Sequence, residues 1–291
     1  MSRKTKKKLY SACRFGALGI WLLIVGFPIY WIVATSFKPD HEWFAWPPVY
    51  WSSTPTLDNY KTVWTSYTKT LATQEAESMQ KPWIALWNSA IISTFSTTIS
   101  VFFGTLLAYG VSRYKLLSEL RMFQLLMFRM IPPIVVAVPL SIYYSYIHLI
   151  DTVAGISIVY IITTLPYSVW MTKSFIDEIP LEIEQAASIL GASRWRTVWE
   201  IIFPLVRSGI VATFMFILIL TWSEYLMALI LLKTDVVTLP IQLSKYEGAT
   251  EGRVYGRQAA LAVGITIPLV FVGIFIRKHL VRVFSFGMVK R

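Results

Sequence analysis

Six apolar stretches, each long enough to cross a lipid bilayer, constrain this chain more than any other feature. They run over residues 14–37, 84–111, 123–147, 153–171, 206–232 and 258–276. A helical crossing needs about 20 apolar residues. The runs are too long, and alternate too little, for the strands of an outer-membrane barrel. The expected fold class is therefore all-α integral membrane, with six transmembrane helices. Composition agrees: AVILMFWYC make up 55% of the 291 residues and DEKR only 15%, against about 25% charged in a soluble domain. A water-soluble fold of this size could not hide that much apolar surface. Intrinsic disorder is excluded by the same figures, and a disulfide scaffold by the single cysteine, Cys13.

A net charge of +11 would suit a nucleic-acid binder, but the placement of the charges gives another reason for it. The N-terminal tail, the second–third loop, the fourth–fifth loop and the C-terminal tail together hold 18 Lys and Arg, against eight on the opposite side. That asymmetry predicts both termini in the cytoplasm, and no nucleic-acid partner is needed. Basic residues before an apolar run also resemble a secretory signal, with Ala34-Thr35-Ser36 as a loose cleavage site. The run exceeds the length of a signal core, so a retained first helix is expected.

Between the spans, residues 38–83 form a long outer segment rich in Trp and Pro, including Trp43, Trp46, Trp51, Pro47 and Pro48. It reads as an aromatic belt at the membrane surface or as a lip that meets a soluble partner. In the second span, Ser96, Ser100, Gly104 and Ala108 recur every four residues and share one helix face. This is a seam for close packing, within the chain or with a partner. Pro132-Pro133 and Pro139 should bend the third span, and Pro166 and Pro268 should interrupt the fourth and sixth. Arg129 and Glu224 are charges set well inside spans. Such groups face a cavity or a partner charge. They read as a polar patch on a translocation path or as a structural ion pair, with each other as the partner to hand. Trp222 and Tyr225, beside Glu224, complete the candidate substrate pathway; aromatic faces with polar edges suit hydroxylated solutes and also pack bundles.

The loop at 173–206 has the clearest local signals. Pro180 suits a first helical position, with Glu182 and Glu184 in the first turns. Gly191 suits the left-handed residue that ends a helix, and Ser193 can cap a second helix running to Pro204. Ala186 and Ala187 leave one flank small enough for close approach by a partner. The hairpin could instead lie on the membrane through Trp195, Trp199 and Phe203.

The stretch from Ile179 to Pro204 resembles the cytoplasmic loop of bacterial ABC importer permeases, often called the EAA loop. That pattern reads Glu-Ala-Ala, three residues, Gly, about a dozen residues, then Pro after an apolar pair. Here it is Gln185-Ala186-Ala187, Gly191, and Ile201-Ile202-Phe203-Pro204. The chain departs from the pattern at Gln185, at Leu190 where an acid is usual, and at Ser208 where a second proline is common. Leu57-Asp58-Asn59-Tyr60, Trp87-Asn88-Ser89, Ala108-Tyr109, Met130-Ile131-Pro132-Pro133, Pro139-Leu140, Trp222-Ser223-Glu224-Tyr225 and Gly287-Met288-Val289-Lys290 resemble the carbohydrate-uptake branch, and within it the smaller, maltose-permease-like subunit. The resemblance covers nearly the whole chain in order.

The resemblance implies a MetI-like bundle: a basic tail (1–13), a first helix (14–37), the outer segment (38–83), a five-helix core (84–276) containing a coupling loop (173–205), and a cytoplasmic tail (277–291). It implies a multi-pass protein of the bacterial cytoplasmic membrane, acting with a second homologous permease subunit, two ATP-binding subunits and an extracytoplasmic solute-binding protein. Glu184, Gln185, Ala186, Ala187 and Gly191 would dock in the ATPase, with Glu184 and Gln185 as hydrogen-bonding groups. ATP and Mg would sit on the partner subunits, with no cofactor on this chain. The residues themselves agree: the sequence has no Gly-x-x-x-x-Gly-Lys-Ser/Thr phosphate loop, and its three histidines, His41, His148 and His279, are far apart. An ion-gradient-driven secondary transporter is the alternative; it would usually show paired halves and more intramembrane acids. A membrane enzyme would need a clustered reactive set, which the sequence does not offer.

Overall fold

In hydrocarbon a backbone must satisfy its own hydrogen bonds, so an apolar run becomes helix. The computed structural model describes residues 3–65, 81–128, 130–246 and 254–286, and these are helices, turns and loops without a strand. In chain order the helices are α1 (Arg3–Ser36), α2 (Asp58–Trp64), α3 (Pro82–Tyr114), α4 (Glu119–Phe128), α5 (Pro133–Tyr146) and α6 (Val153–Asp177). Then come α7 (Leu181–Ile189), α8 (Arg194–Leu205), α9 (Arg207–Trp222), α10 (Leu226–Leu231), α11 (Leu239–Lys245) and α12 (Tyr255–Phe286). Four stretches among the described residues are long and apolar enough to cross a membrane as single helices: Tyr10–Ser36, Pro82–Tyr114, Val153–Asp177 and Tyr255–Ile274.

The other two expected spans are interrupted. The third divides into α4 and α5, because Pro132-Pro133 withholds two successive backbone donors; Pro133 then opens α5, where a missing N–H costs nothing. The fifth divides into α9 and the six-residue α10, separated by a turn at 223–225. Pro166 and Pro268, expected to interrupt their spans, ride instead within continuous helices, as does Pro28 in α1.

The described residues form two compact units, divided so that 243–266 group with the N-terminal part and the rest of the chain forms the second. In the first, Val63, Tyr246, Val254 and Leu261 make a small core flanked by Trp43 and Trp64. Buried Asn59 donates from Nδ2 to the carbonyls of Ser36 (3.0 Å) and Lys38 (2.8 Å), supplying partners at the end of α1. Residues 10–33 of α1 are almost wholly exposed, so this apolar helix has bilayer or another protein as its surroundings.

In the second unit the small-residue seam packs within the chain, α3 against α6. Ser96 Oγ donates to the Ser157 carbonyl (3.3 Å), and Thr164 Oγ1 donates to Ser100 Oγ (3.0 Å). Small residues let the two backbones approach, and their hydroxyls find acceptors across the gap. Two apolar clusters flank the seam. One contains Ile92, Ile156, Tyr160 and Leu231; the other contains Ala108, Val169, Ile176 and Val206.

At Gly104 a Cβ would collide with Oγ and Cβ of Ser168. Gly104→Leu is therefore expected to cost about 1–3 kcal/mol through overpacking, read as a lower melting temperature in detergent. Adding Ser168→Gly should recover part of the loss. An unchanged melting temperature in the single variant would contradict this packing.

Candidate functional site

The loop between α6 and α9 folds as its local chemistry dictates. Pro180 lies one position earlier than expected, as the residue before the helix, with φ −59° and ψ 139°. Glu182 and Glu184 follow in the first turn of α7, where the helix dipole favours negative charge. The helix closes on Gly191 at φ +81°. The Gly191 N–H donates to the Ser188 carbonyl (3.0 Å), and that of Ala192 to the Ala187 carbonyl (3.0 Å). This paired closure requires a left-handed residue. Ser193 then caps α8, its Oγ accepting from the Arg196 N–H at 3.3 Å. Helix α8 widens to a π-helix over Thr197–Ile202, just before Pro204, whose ring crowds the preceding turn and which cannot donate to it. At Val206 the chain turns, and α9 leaves at 72° to α8. Trp195, Trp199 and Phe203 contact one another in series along α8.

The structure sorts the five expected coupling residues into two sets. Gln185, Ala186 and Gly191 are exposed, beside Ile189 and Leu190, whose side chains are 86% and 88% exposed. Ala187 is buried. Glu184 turns inward, and both its oxygens are engaged by α3. Its Oε1 accepts from Arg113 Nε (2.5 Å) and its Oε2 from the Tyr109 hydroxyl (2.8 Å). Arg113 Nη2 also donates to the Ile179 carbonyl at 2.9 Å. The ion pair is largely buried, with side-chain exposures of 8% and 15%. A second tie holds the same end of the bundle: Ser112 Oγ donates to Asp177 Oδ1 (2.5 Å), and Lys173 pairs with Asp177 Oδ2. The 173–206 loop is thereby fastened to the end of α3.

The expected substrate-pathway residues lie at the α9–α10 break. The Glu224 carboxylate accepts from the N–H groups of Met227 (2.8 Å) and Ala228 (3.1 Å) and from the Tyr160 hydroxyl (2.8 Å). It supplies the first donors of α10 with an acceptor. Trp222 is buried and Tyr225 partly exposed, at 38%. Arg129 lies outside the described residues, and with it the expected pairing to Glu224.

Sequence reasoning passed over Arg113, which it counted only as a loop charge, and Asp151. Asp151 precedes α6 with φ +56°. Its Oδ1 accepts from the N–H groups of Lys233 (2.9 Å) and Val236 (3.1 Å), and its Oδ2 from those of Thr234 (2.9 Å) and Asp235 (2.9 Å). This ties the loop after α10 to the loop before α6. At the same end of the unit, Asn88 Nδ2 donates to the Val237 carbonyl and Ser89 Oγ accepts from the Leu239 N–H. The only sequence signal was a lone acid in a loop of a few residues, with no basic residue beside it.

Burial alone would push the Asp151 carboxyl up, but the four backbone donors outweigh it and hold its pKa below the ordinary carboxylate value. An acid with a lowered folded pKa contributes stability that is complete above its unfolded pKa, about 3.9, and is lost as pH falls through the folded value. Asp151→Ala should therefore lower stability at pH 7 by about 1.5–3 kcal/mol. The difference in melting temperature between wild type and variant should shrink as pH drops below about 4. A difference that holds constant into acid would contradict the role of the charge.

Comparison with known proteins agrees with this architecture. Residues 100–285 match the family described as "Binding-protein-dependent transport system inner membrane component". The probable ABC transporter permease protein y4oR of Sinorhizobium fredii is 26% identical over 99% of this chain and 98% of its own length. The trehalose/maltose transport system permease protein MalG of Thermococcus litoralis is 29% identical over 92% of this chain and 96% of its own. Among solved structures, a bacterial ABC transporter involved in import of the acidic polysaccharide alginate superposes with a TM-score of 0.74 at 19% identity. That match covers 96% of this chain and 98% of the other, and it shows a shared fold.

Proposed function

The chain belongs to the family of binding-protein-dependent transport system inner membrane components, and on that premise we propose that it is one of two permease subunits of an ATP-driven importer for a sugar, polyol or related solute. The carbohydrate class is supported by the full-length similarity to a permease named for trehalose and maltose transport. In this reading the chain crosses the cytoplasmic membrane six times, counting the two broken spans, with both termini inside. The excess of basic residues on that side supports the orientation. So does the grouping within the second unit. Residues 109–113 meet 177–184 at one end, and residues 88–89, 151 and 233–239 gather through their own contacts.

The observation that carries the proposal is the α7–Gly191–α8 turn fastened to α3 through Glu184. Its exposed face, Gln185, Ala186, Ile189 and Leu190, would dock on an ATP-binding subunit. ATP and Mg would be held there. Arg113 and Tyr109 would pass the displacement of the docked loop to α3. Glu184 thus acts as a positioning residue inside this chain, while Gln185 remains available to the partner. An extracytoplasmic solute-binding protein would deliver the solute, and a second permease would complete the pathway and cover α1. Trp222, Tyr225 and Arg129 remain proposed pathway residues; Glu224 would shape the path by holding the helix break open.

Uptake by membrane vesicles carrying the assembly tests this. Transport should require ATP on the cytoplasmic face, and uptake driven by an ion gradient without ATP would overturn the proposal in favour of a secondary transporter. Gly191→Val forces a β-branched side chain into the left-handed region, where nothing crowds it sterically and the cost is conformational, roughly 1–2 kcal/mol. Uptake should fall sharply while ATP hydrolysis by the purified assembly persists. Gly191→Asn, which tolerates that region, should retain more uptake. Undiminished uptake in the valine variant would contradict the coupling role of this turn.

A further inference from the structure

Beside the end of α1 the first unit forms a partly open cavity of about 370 Å³ that the transport reading does not use. Most of its wall is apolar: Trp31, Trp43, Ile32 and Leu243, with Ala259 and Ala262 from α12. Two polar side chains without a partner line it. Thr35 Oγ1 is buried and bonded to nothing among the described residues. Lys38 is only 2% exposed. Its ammonium lies 3.9 Å from the centre of the Trp31 ring, and no described residue gives it a hydrogen bond or an ion pair.

An ammonium held out of water without an anion in direct contact is costly, and a ring face offsets only part of that. Burial accordingly pushes the Lys38 pKa down, against the pull of the nearby Glu42 carboxylate, whose Oε2 is itself buried without a hydrogen-bond partner among the described residues. The other cation nearby is engaged: Arg257 pairs with Asp40 at 3.5 Å and lies over the Trp43 ring. The cavity therefore offers a buried ammonium that no carboxylate contacts directly, and a hydroxyl without a partner, at the edge of an apolar chamber. Exposed Trp46, Tyr50 and Trp51 follow in the same segment, the residue types that settle at lipid head-group depth.

We propose that this cavity binds the phosphate group of a membrane phospholipid, with Lys38 and Thr35 holding phosphate oxygens and the apolar wall receiving the start of an acyl chain. The chemistry recognised is a phosphate; the apolar lining selects the lipid-borne form over the free ion, because a small hydrated anion leaves most of the wall uncovered. The inference rests on α1 lying in a membrane and is independent of which solute is transported.

The test is native mass spectrometry and thermal melting of the purified assembly containing the full-length chain, after delipidation, with phosphatidylglycerol or inorganic phosphate added. Wild type should retain one phosphatidylglycerol on this chain and melt higher in its presence. Lys38→Gln should bind it at least fivefold more weakly, yet melt no lower than wild type without lipid, since it removes an unpaired charge. Ala262→Phe, which fills the apolar wall and leaves the charge, should also exclude the lipid. Inorganic phosphate should protect neither. Equal lipid retention by wild type and Lys38→Gln would overturn the site. Protection by inorganic phosphate alone would overturn the lipid as its source. If Lys38→Gln and Glu42→Gln destabilise the lipid-free protein alike, Lys38 serves an internal pair and the proposal fails.

Discussion

A backbone that leaves its helix inside or beside a bilayer must find new hydrogen-bond partners at once, and the architecture of this protein follows from how it does so. At several of the breaks a side chain takes over the ladder's work. Asn59 supplies donors to the carbonyls closing α1, and Thr152 caps α6 by accepting from the Gly155 N–H. Glu224 accepts from the first turn of α10, and Asp151 clasps four successive N–H groups of the loop that follows it. The carboxylates are the expensive members of this set. Their partial desolvation is offset by multiple donors aimed at each one. Charges that look like candidates for transport chemistry therefore serve first as the fixings of an interrupted bundle.

The loop between α6 and α9 follows the same economy of contacts with a different result. Its outward face is left apolar and unpaired at Ile189 and Leu190, while its inward face commits a buried carboxylate to α3. A loop fastened only by its flanking chain could move without the bundle. One fastened by Glu184, Arg113 and Tyr109 carries α3 with it, and α3 is bound along its length to α6 by the seam of Ser96, Ser100 and Gly104. Force applied at the exposed face thus has a continuous packed route into the core of the second unit.

Much of this was legible in the sequence. Length and apolarity located the four spans that are single long helices, and the left-handed glycine and the serine cap in the 173–206 loop followed from local backbone chemistry alone. The four-residue seam was visible because helical spacing puts its members on one face; that it packs on α6 was not, since nothing in the sequence names the facing helix. Pro132-Pro133 marked a disturbance, and the structure makes it a full break because two adjacent residues lack donors. Pro166 and Pro268 interrupt nothing: one lost donor in a long helix is tolerated. The roles of Glu184, Asp151 and Lys38 depend on groups far away in the chain, or on the lack of them. Charge counting registered Arg113 as orientation and missed it as an anchor.

The central claim is that the loop and α3 move as one piece because Glu184 joins them. Spin labels at Ser188→Cys on α7 and Leu116→Cys just beyond α3, with Cys13 replaced by Ser, would report their separation in the assembled importer with and without ATP. The account predicts one narrow distance distribution, unchanged by nucleotide, that broadens when Glu184 becomes Gln. A separation that shifts on ATP binding in the protein with Glu184 intact would contradict it.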